Sequence, residues 1–154
     1  MIAKTEQKVM KTFVSFEMNF SIVSKRENLL DKELLQFLRK KMHNAGFNIQ
    51  GPKNREDWAW DFLLERNNYQ IESIIGYVND GAIQWLVTTY LHLSFWKKIF
   101  GSKIVKVETN RYLRDYCLAI HQILYFDDRF DSIRWYEQRD FDRNITNKWE
   151  SFPS

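Results

Sequence analysis

Along residues 12–22, TFVSFEMNFSI, Val14, Phe16, Met18, Phe20 and Ile22 alternate with Ser15, Glu17, Asn19 and Ser21. A period of two sends successive side chains to opposite faces, so this run predicts a half-buried strand. Ser24 followed by Glu27 has the form of a capping box. Behind it Leu30, Leu34, Phe37, Leu38 and Met42 recur at helical spacing, with Lys32, Arg39 and Lys40 on other faces. Gly46 suits the left-handed residue that stops a helix. The pattern predicts a helix over 25–45.

Gly51-Pro52 reads as a break, and a β-meander is expected over 56–95. Trp58, Trp60, Phe62 and Leu64 alternate with Asp57, Ala59, Asp61, Leu63 and Glu65. Asn67-Asn68 then supplies two residues that tolerate positive φ in a hairpin turn. Pairing across it sets Leu64 opposite Ile71, Phe62 opposite Ser73, Trp60 opposite Ile75 and Trp58 opposite Tyr77. A slip of one residue would scatter this apolar set over both faces. A three-residue loop at Asn79-Asp80-Gly81 sets Tyr77 opposite Ile83, Ile75 opposite Trp85 and Ser73 opposite Val87. The second face is mixed: Asp57, Asp61, Glu65, Gln70, Glu72, Gln84 and Thr88 share it with Leu63, Ile74 and Leu86.

Residues 95–108 read as a basic connection containing a helical turn or a short strand. Thr109 or Asn110 can cap a second helix over 109–126, with Leu113, Tyr116, Cys117, Ile120 and Leu124 as its apolar stripe. Ile133 and Trp135 alternate with Arg134 and Tyr136, which suggests a last strand at about 132–138, with a helix as the rival. Trp149 and Phe152 are candidate anchors for the polar tail. The expected architecture is one α+β domain over 1–154, in two layers. A mainly antiparallel meander packs against two principal helices that cover the Trp58/Trp60/Trp85 face.

Composition supports a packed fold: 12 Phe, 6 Trp and 7 Tyr stand against only 5 Gly and 2 Pro in 154 residues. A single cysteine, Cys117, excludes an internal disulfide framework and favours a reducing, cytoplasmic setting. The run MIAKTEQKVMK lacks the apolar core of a signal peptide. No stretch approaches roughly 18 uninterrupted apolar residues, so no membrane span is expected. The net charge of +3 conceals alternating blocks. Residues 1–55 carry 11 basic and 5 acidic side chains, a net of +6, whereas 56–80 carry one basic and six acidic, a net of −5. Residues 97–114 return to +5 and 115–142 to −4. Such blocks can build patches of opposite sign.

Candidate chemistry is sparse. Cys117 and His121 are adjacent at i and i+4, but a zinc site needs further ligands, and only His43 and His92 remain as histidines. Cys117 also falls within an apolar stripe, where free cysteine packs as a small hydrophobe. His92 has outward parity with no nucleophile motif beside it. Asp127, Asp128 and Asp131 lack the glycine and the distal glutamate of a calcium loop. Asp57 and Asp61, taken as one strand face, would lie roughly 13 Å apart, too far for a glycosidase pair. No glycine-rich phosphate cradle occurs. These readings predict no catalytic set, no metal site and no cofactor. Lys97, Lys98, Lys103 and Lys106 with Phe95, Trp96 and Phe100 keep open a nucleic-acid-binding or adaptor role for 97–114. Flanking acidic blocks and ordinary packing with outward lysines weigh against nucleic acid.

The run EDWAWDFLL at 56–64, followed by a hairpin and a strand carrying Trp85, resembles small α+β immunity proteins of bacterial polymorphic-toxin systems, including the contact-dependent growth inhibition type. The layout over about 12–138 carries the likeness, although many of those proteins have Gly where this chain has Ala59. The resemblance implies a non-enzymatic cytoplasmic protein that binds and neutralises one cognate toxin domain. Asp57, Asp61, Glu65 and Glu72 are then the acidic part of the partner surface, with Ile74 and Leu86 as apolar contacts. An inhibitor of a basic nuclease would be acidic overall, and this chain is not. Oligomeric state is left open by the sequence.

Overall fold

The computed structural model describes residues 9–18, 27–66, 69–79, 83–93, 103–145 and 147–153, without the side chains of 27–31, 78–79, 83 and 103–105. Its elements are β1 (Phe13–Met18), α1 (Glu27–Asn44), β2 (Gln50–Glu56), β3 (Ala59–Arg66), β4 (Tyr69–Asn79), β5 (Ile83–Leu93), α2 (Lys103–Tyr125), β6 (Phe130–Tyr136) and α3 (Gln138–Asp142). The strands form one antiparallel sheet in the order β2-β3-β4-β5-β1-β6. With helices packed on it, the chain is an α+β protein. Among the described residues no helix is long and apolar enough to cross a membrane.

Leu34, Leu35, Leu38 and Met42 of α1 and Leu113, Tyr116, Cys117, Ile120 and Leu124 of α2 are buried in one cluster with Val14, Phe16, Phe62, Leu64, Ile71, Ile75, Trp85 and Val87 of the strands. These two helical stripes cover the inner face of the sheet, and the expected periodicities place them there. Helix α1 ends as its glycine requires. Gly46 has φ +93°, its amide donates to the His43 carbonyl, and the Phe47 amide reaches back to the Met42 carbonyl. These two bonds make a Schellman motif. The Ser24 half of the expected capping box lies outside the described residues, as do 19–22 of the first expected strand.

The β3–β4 register is as expected from Leu64↔Ile71 to Trp60↔Ile75. Two expectations fail nearby. Strand β5 is displaced by two residues, pairing Tyr77 with Trp85, Ile75 with Val87 and Ser73 with Thr89. An even slip leaves every side chain on its face, so hydrophobic alternation cannot distinguish the two registers. Trp58 is not opposite Tyr77 on the inner face. Strand β3 starts at Ala59, Asp57 and Trp58 occupy the preceding turn, and Trp58 is 54% exposed.

Strand β2 was read as a break. It is polar and exposed along most of its length because it is an edge strand, where Pro52 costs no sheet hydrogen bond. Gly51 has φ +109°, and a Cβ there would stand 2.6 Å from the Asp61 carbonyl oxygen. Strand β1 is also more than half-buried, since Phe13 and Ser15 on its outer side are 1% and 5% exposed. Its position between β5 and β6 explains this, together with the rings of Tyr90 and Phe141 that meet Phe13 edge-on.

Helix α2 begins six residues before the expected cap. Thr109 lies inside it and donates its hydroxyl to the Lys106 carbonyl. The last strand is confirmed as a strand, at 130–136, and the chain turns into α3 from 138. A register shift against β1 between Ser15 and Glu17, with Ser132 at φ 52°, marks a bulge. The tail is strapped down: Trp135 and Glu150 exchange backbone hydrogen bonds, and the Lys11 amide donates to the Pro153 carbonyl. Lys11, itself buried, pairs with Glu150 at 3.1 Å. Phe152 packs edge-on to His121 and Trp149 lies under Arg134, so both expected anchors are in use.

Candidate functional site

The outer face of β2–β5 gathers the charged and apolar positions that the alternation left mixed. Asp61 on β3 and Glu72 on β4 converge on one guanidinium. Arg55 Nη1 donates to Asp61 Oδ1 at 3.3 Å and to Glu72 Oε1 at 3.1 Å. The other oxygen of Glu72 meets His92 Nε2 at 2.7 Å. Hydrogen bonding to Asp61, then the charge of that carboxylate, holds the Arg55 guanidinium above its ordinary value. Arg55 and His92 are about half-exposed, so this network is wet and its ion pairs contribute little stability.

Beside the network lies a recess of about 350 Å³ lined by Trp58, Ala59, Ile74, Gly76, Leu86 and Thr88, with Arg55 and Glu56 at its rim. Gly76 makes the recess possible. A Cβ on it would come within 3.1 Å of the Trp58 ring, so the indole lies directly against the strand backbone. The Tyr77 amide donates to the Trp58 carbonyl and ties the turn to β4.

Of the expected partner residues, the structure brings together Asp61, Glu72, Ile74 and Leu86. Asp57 stands in the turn and Glu65 stands apart at the far end of β3, where it accepts from Gln70. The expected strand spacing between Asp57 and Asp61 therefore does not exist. Nor is the surface a plain acidic patch, since Arg55 and His92 engage its two central carboxylates. Arg55 and Trp58 were missed as site residues. Arg55 sits on the unread edge strand, and its only sequence signal is a basic residue next to the acidic block.

The histidines do not assemble. His43 Nε2 lies 3.3 Å from the Ile49 carbonyl, His92 is on the outer face and His121 is in the core. Among the described residues no three His, Cys, Asp or Glu side chains are grouped to hold a metal ion. Cys117 is fully buried, and burial pushes its thiol up to about 12, which leaves no thiolate at neutral pH. Asp127 caps its own turn, accepting from the Arg129 backbone and guanidinium, and those bonds hold its carboxyl below the usual range. Of the basic set at 97–114, Arg111 and Arg114 are exposed on α2; Lys97 and Lys98 lie outside the described residues.

His121 Nδ1 accepts the indole N–H of Trp135 at 3.1 Å, so the neutral ring carries its proton on Nε2. Burial holds its pKa below the ordinary 6.5. The unfolded chain thus takes up a proton at higher pH than the folded chain. The stability linked to this site is complete above the unfolded value and is lost as pH falls through the window beneath it. Urea midpoints of the wild type should fall between about pH 7 and pH 5 more steeply than those of His121→Leu. Equal slopes in the two proteins would refute the assignment.

Comparison with protein-family models, with curated proteins and with solved structures finds no match for this chain.

Proposed function

We propose that the chain is a protein-binding module of the toxin-immunity type, acting in the cytoplasm without catalysis of its own. The observation that carries the docking surface is Trp58, half-exposed against Gly76, beside the Ile74/Leu86 recess and a charged rim. Protein interfaces concentrate their energy in a tryptophan or arginine anchored near an apolar centre, with polar groups around it. Arg55, Asp61, Glu72 and His92 supply such a rim, and their mixed signs suit selection of one partner more than raw affinity. The identity of that partner as a cognate toxin domain rests on the resemblance of 56–64 and the element layout.

The immunity reading expects a toxin domain encoded beside this chain, and the test is co-purification and titration with that neighbour. Trp58→Ala should weaken the complex by about 2 kcal/mol, roughly thirtyfold, while leaving the unfolding midpoint nearly unchanged. Joint reversal of Asp61 and Glu72 to arginine should slow association and alter its salt dependence. Unchanged affinity in both variants would remove this face from the interface. Failure to bind or neutralise the neighbour would overturn the immunity reading itself.

A further inference from the structure

A second surface lies beside the residues that lead into β1. An open groove of about 810 Å³ lies between the extended residues 9–12, α2 and the short helix α3. Arg114 projects into it from α2, and Arg139 and Arg143 from α3 and its C-terminal cap. Residues four apart share one side of a helix, so Arg139 and Arg143 present their guanidiniums together. All three are exposed, and among the described residues no ion pair holds any of them. Arg55 and Arg129 pair with carboxylates and Arg66 and Arg134 lie over Tyr112 and Trp149, whereas Arg39 and Arg111 are exposed singly outside the groove. Against the three cations the described residues of the groove set one carboxylate, Asp142, and an apolar wall that includes Val9 and Met10.

We propose that this groove binds an acidic, leucine-type segment of a partner protein. The segment's carboxylates would lie on Arg114, Arg139 and Arg143, and its aliphatic side chains on Val9, which is exposed, and Met10. Guanidinium forks match carboxylates and phosphates alike, two bonds at a time, and two other features favour a peptide over a nucleic acid. Among the described residues no aromatic ring lines the groove to stack on a base, which is the usual platform for single strands. Asp142, set among the arginines, repels an unbroken run of phosphates but can face a peptide amide. The groove shares no residue with the Trp58 recess, so this inference does not rest on the immunity reading.

The test uses the full chain and a short fluorescein-labelled peptide of alternating Glu and Leu, read by fluorescence anisotropy. Arg114→Ala, Arg139→Ala and Arg143→Ala should each weaken binding about tenfold. Arg114→Lys should recover only part of the loss, because an ammonium cannot form the paired bonds. Arg39→Ala on α1, which removes the same charge at a residue that does not line the groove, should change little. Because the three guanidiniums are exposed, the variants should keep the wild-type circular dichroism. An equal loss in Arg39→Ala would show a non-specific charge effect and overturn the site. So would the absence of peptide binding, or binding untouched by the three groove variants. Tighter binding of an oligo-dT strand than of the peptide, sensitive to the same arginines, would overturn the choice of ligand.

Discussion

Trp135→Ala is expected to destabilise the protein by about 3–5 kcal/mol, the range for deleting a large buried ring that its neighbours cannot fill. In urea the midpoint should fall by more than roughly 1 M for a chain of this size. The reason is local and threefold. Trp135 is fully buried on β6 opposite Val14, its indole N–H is spent on His121 Nδ1, and its backbone holds the tail through Glu150. Trp135→Phe separates these contributions. It keeps most of the ring volume and the backbone bonds, but leaves His121 Nδ1 without its donor. The smaller loss, about 1–3 kcal/mol, should then be coupled to His121 in a double-mutant cycle with His121→Leu. Additive losses would show that the two rings merely touch.

Tyr116→Ala should be of similar size, about 3–5 kcal/mol, because it empties the centre of the α2 contact with the sheet. The Tyr116 ring meets Phe47 edge-on, and its hydroxyl lies 2.8 Å from Ser73 Oγ, which in turn lies 3.0 Å from Thr89 Oγ1. All three hydroxyls belong to buried residues. Burial drives the Tyr116 phenol well above its ordinary value, so it remains a neutral hydroxyl at any working pH. Tyr116→Phe should lose only about 1 kcal/mol, since Ser73 and Thr89 retain each other. Ser73→Ala should cost more than Tyr116→Phe, because it strands the phenol and deprives Thr89 of its partner at once. The reverse order, measured by chemical denaturation, would argue against this chain of bonds.

Apolar periodicity made α1, the core of α2, β1 and the β3–β4 pairing legible. In α1, α2 and the β3–β4 pair one face is buried on the core, and a shifted register would expose rings such as Phe62 or Trp60. Strand β1 was legible from its inner set Val14, Phe16 and Met18, although its outer side is buried as well. The same signal was blind where burial does not alternate. Edge strand β2, with the sequence QGPKNRE, buries almost nothing and left no pattern to read. Helix α2 begins in KIVKVE, where lysines and β-branched residues looked like a connection. The alternation through Asp57-Trp58-Ala59 was real but belonged to a turn, so Trp58 was assigned to the wrong face.

The candidate site was half-legible for the same cause. Asp61, Glu72 and Ile74 follow from parity alone once β3 and β4 are paired, and Leu86 from the parity of β5, which survives its two-residue offset. Their meaning changes with Arg55 and His92, which come from opposite neighbouring strands and convert an acidic patch into a shared network. Local pattern therefore determined which residues of this chain are core, which of them share a face, and that a sheet carries two helices. Only the tertiary structure decided the strand order, the two-residue offset of β5, the Trp58 recess over Gly76 and the gathering of Arg114 with Arg139 and Arg143. Periodicity reports the environment of one segment against solvent. Which segments become neighbours is set by packing across the whole sheet, where residues far apart in sequence meet.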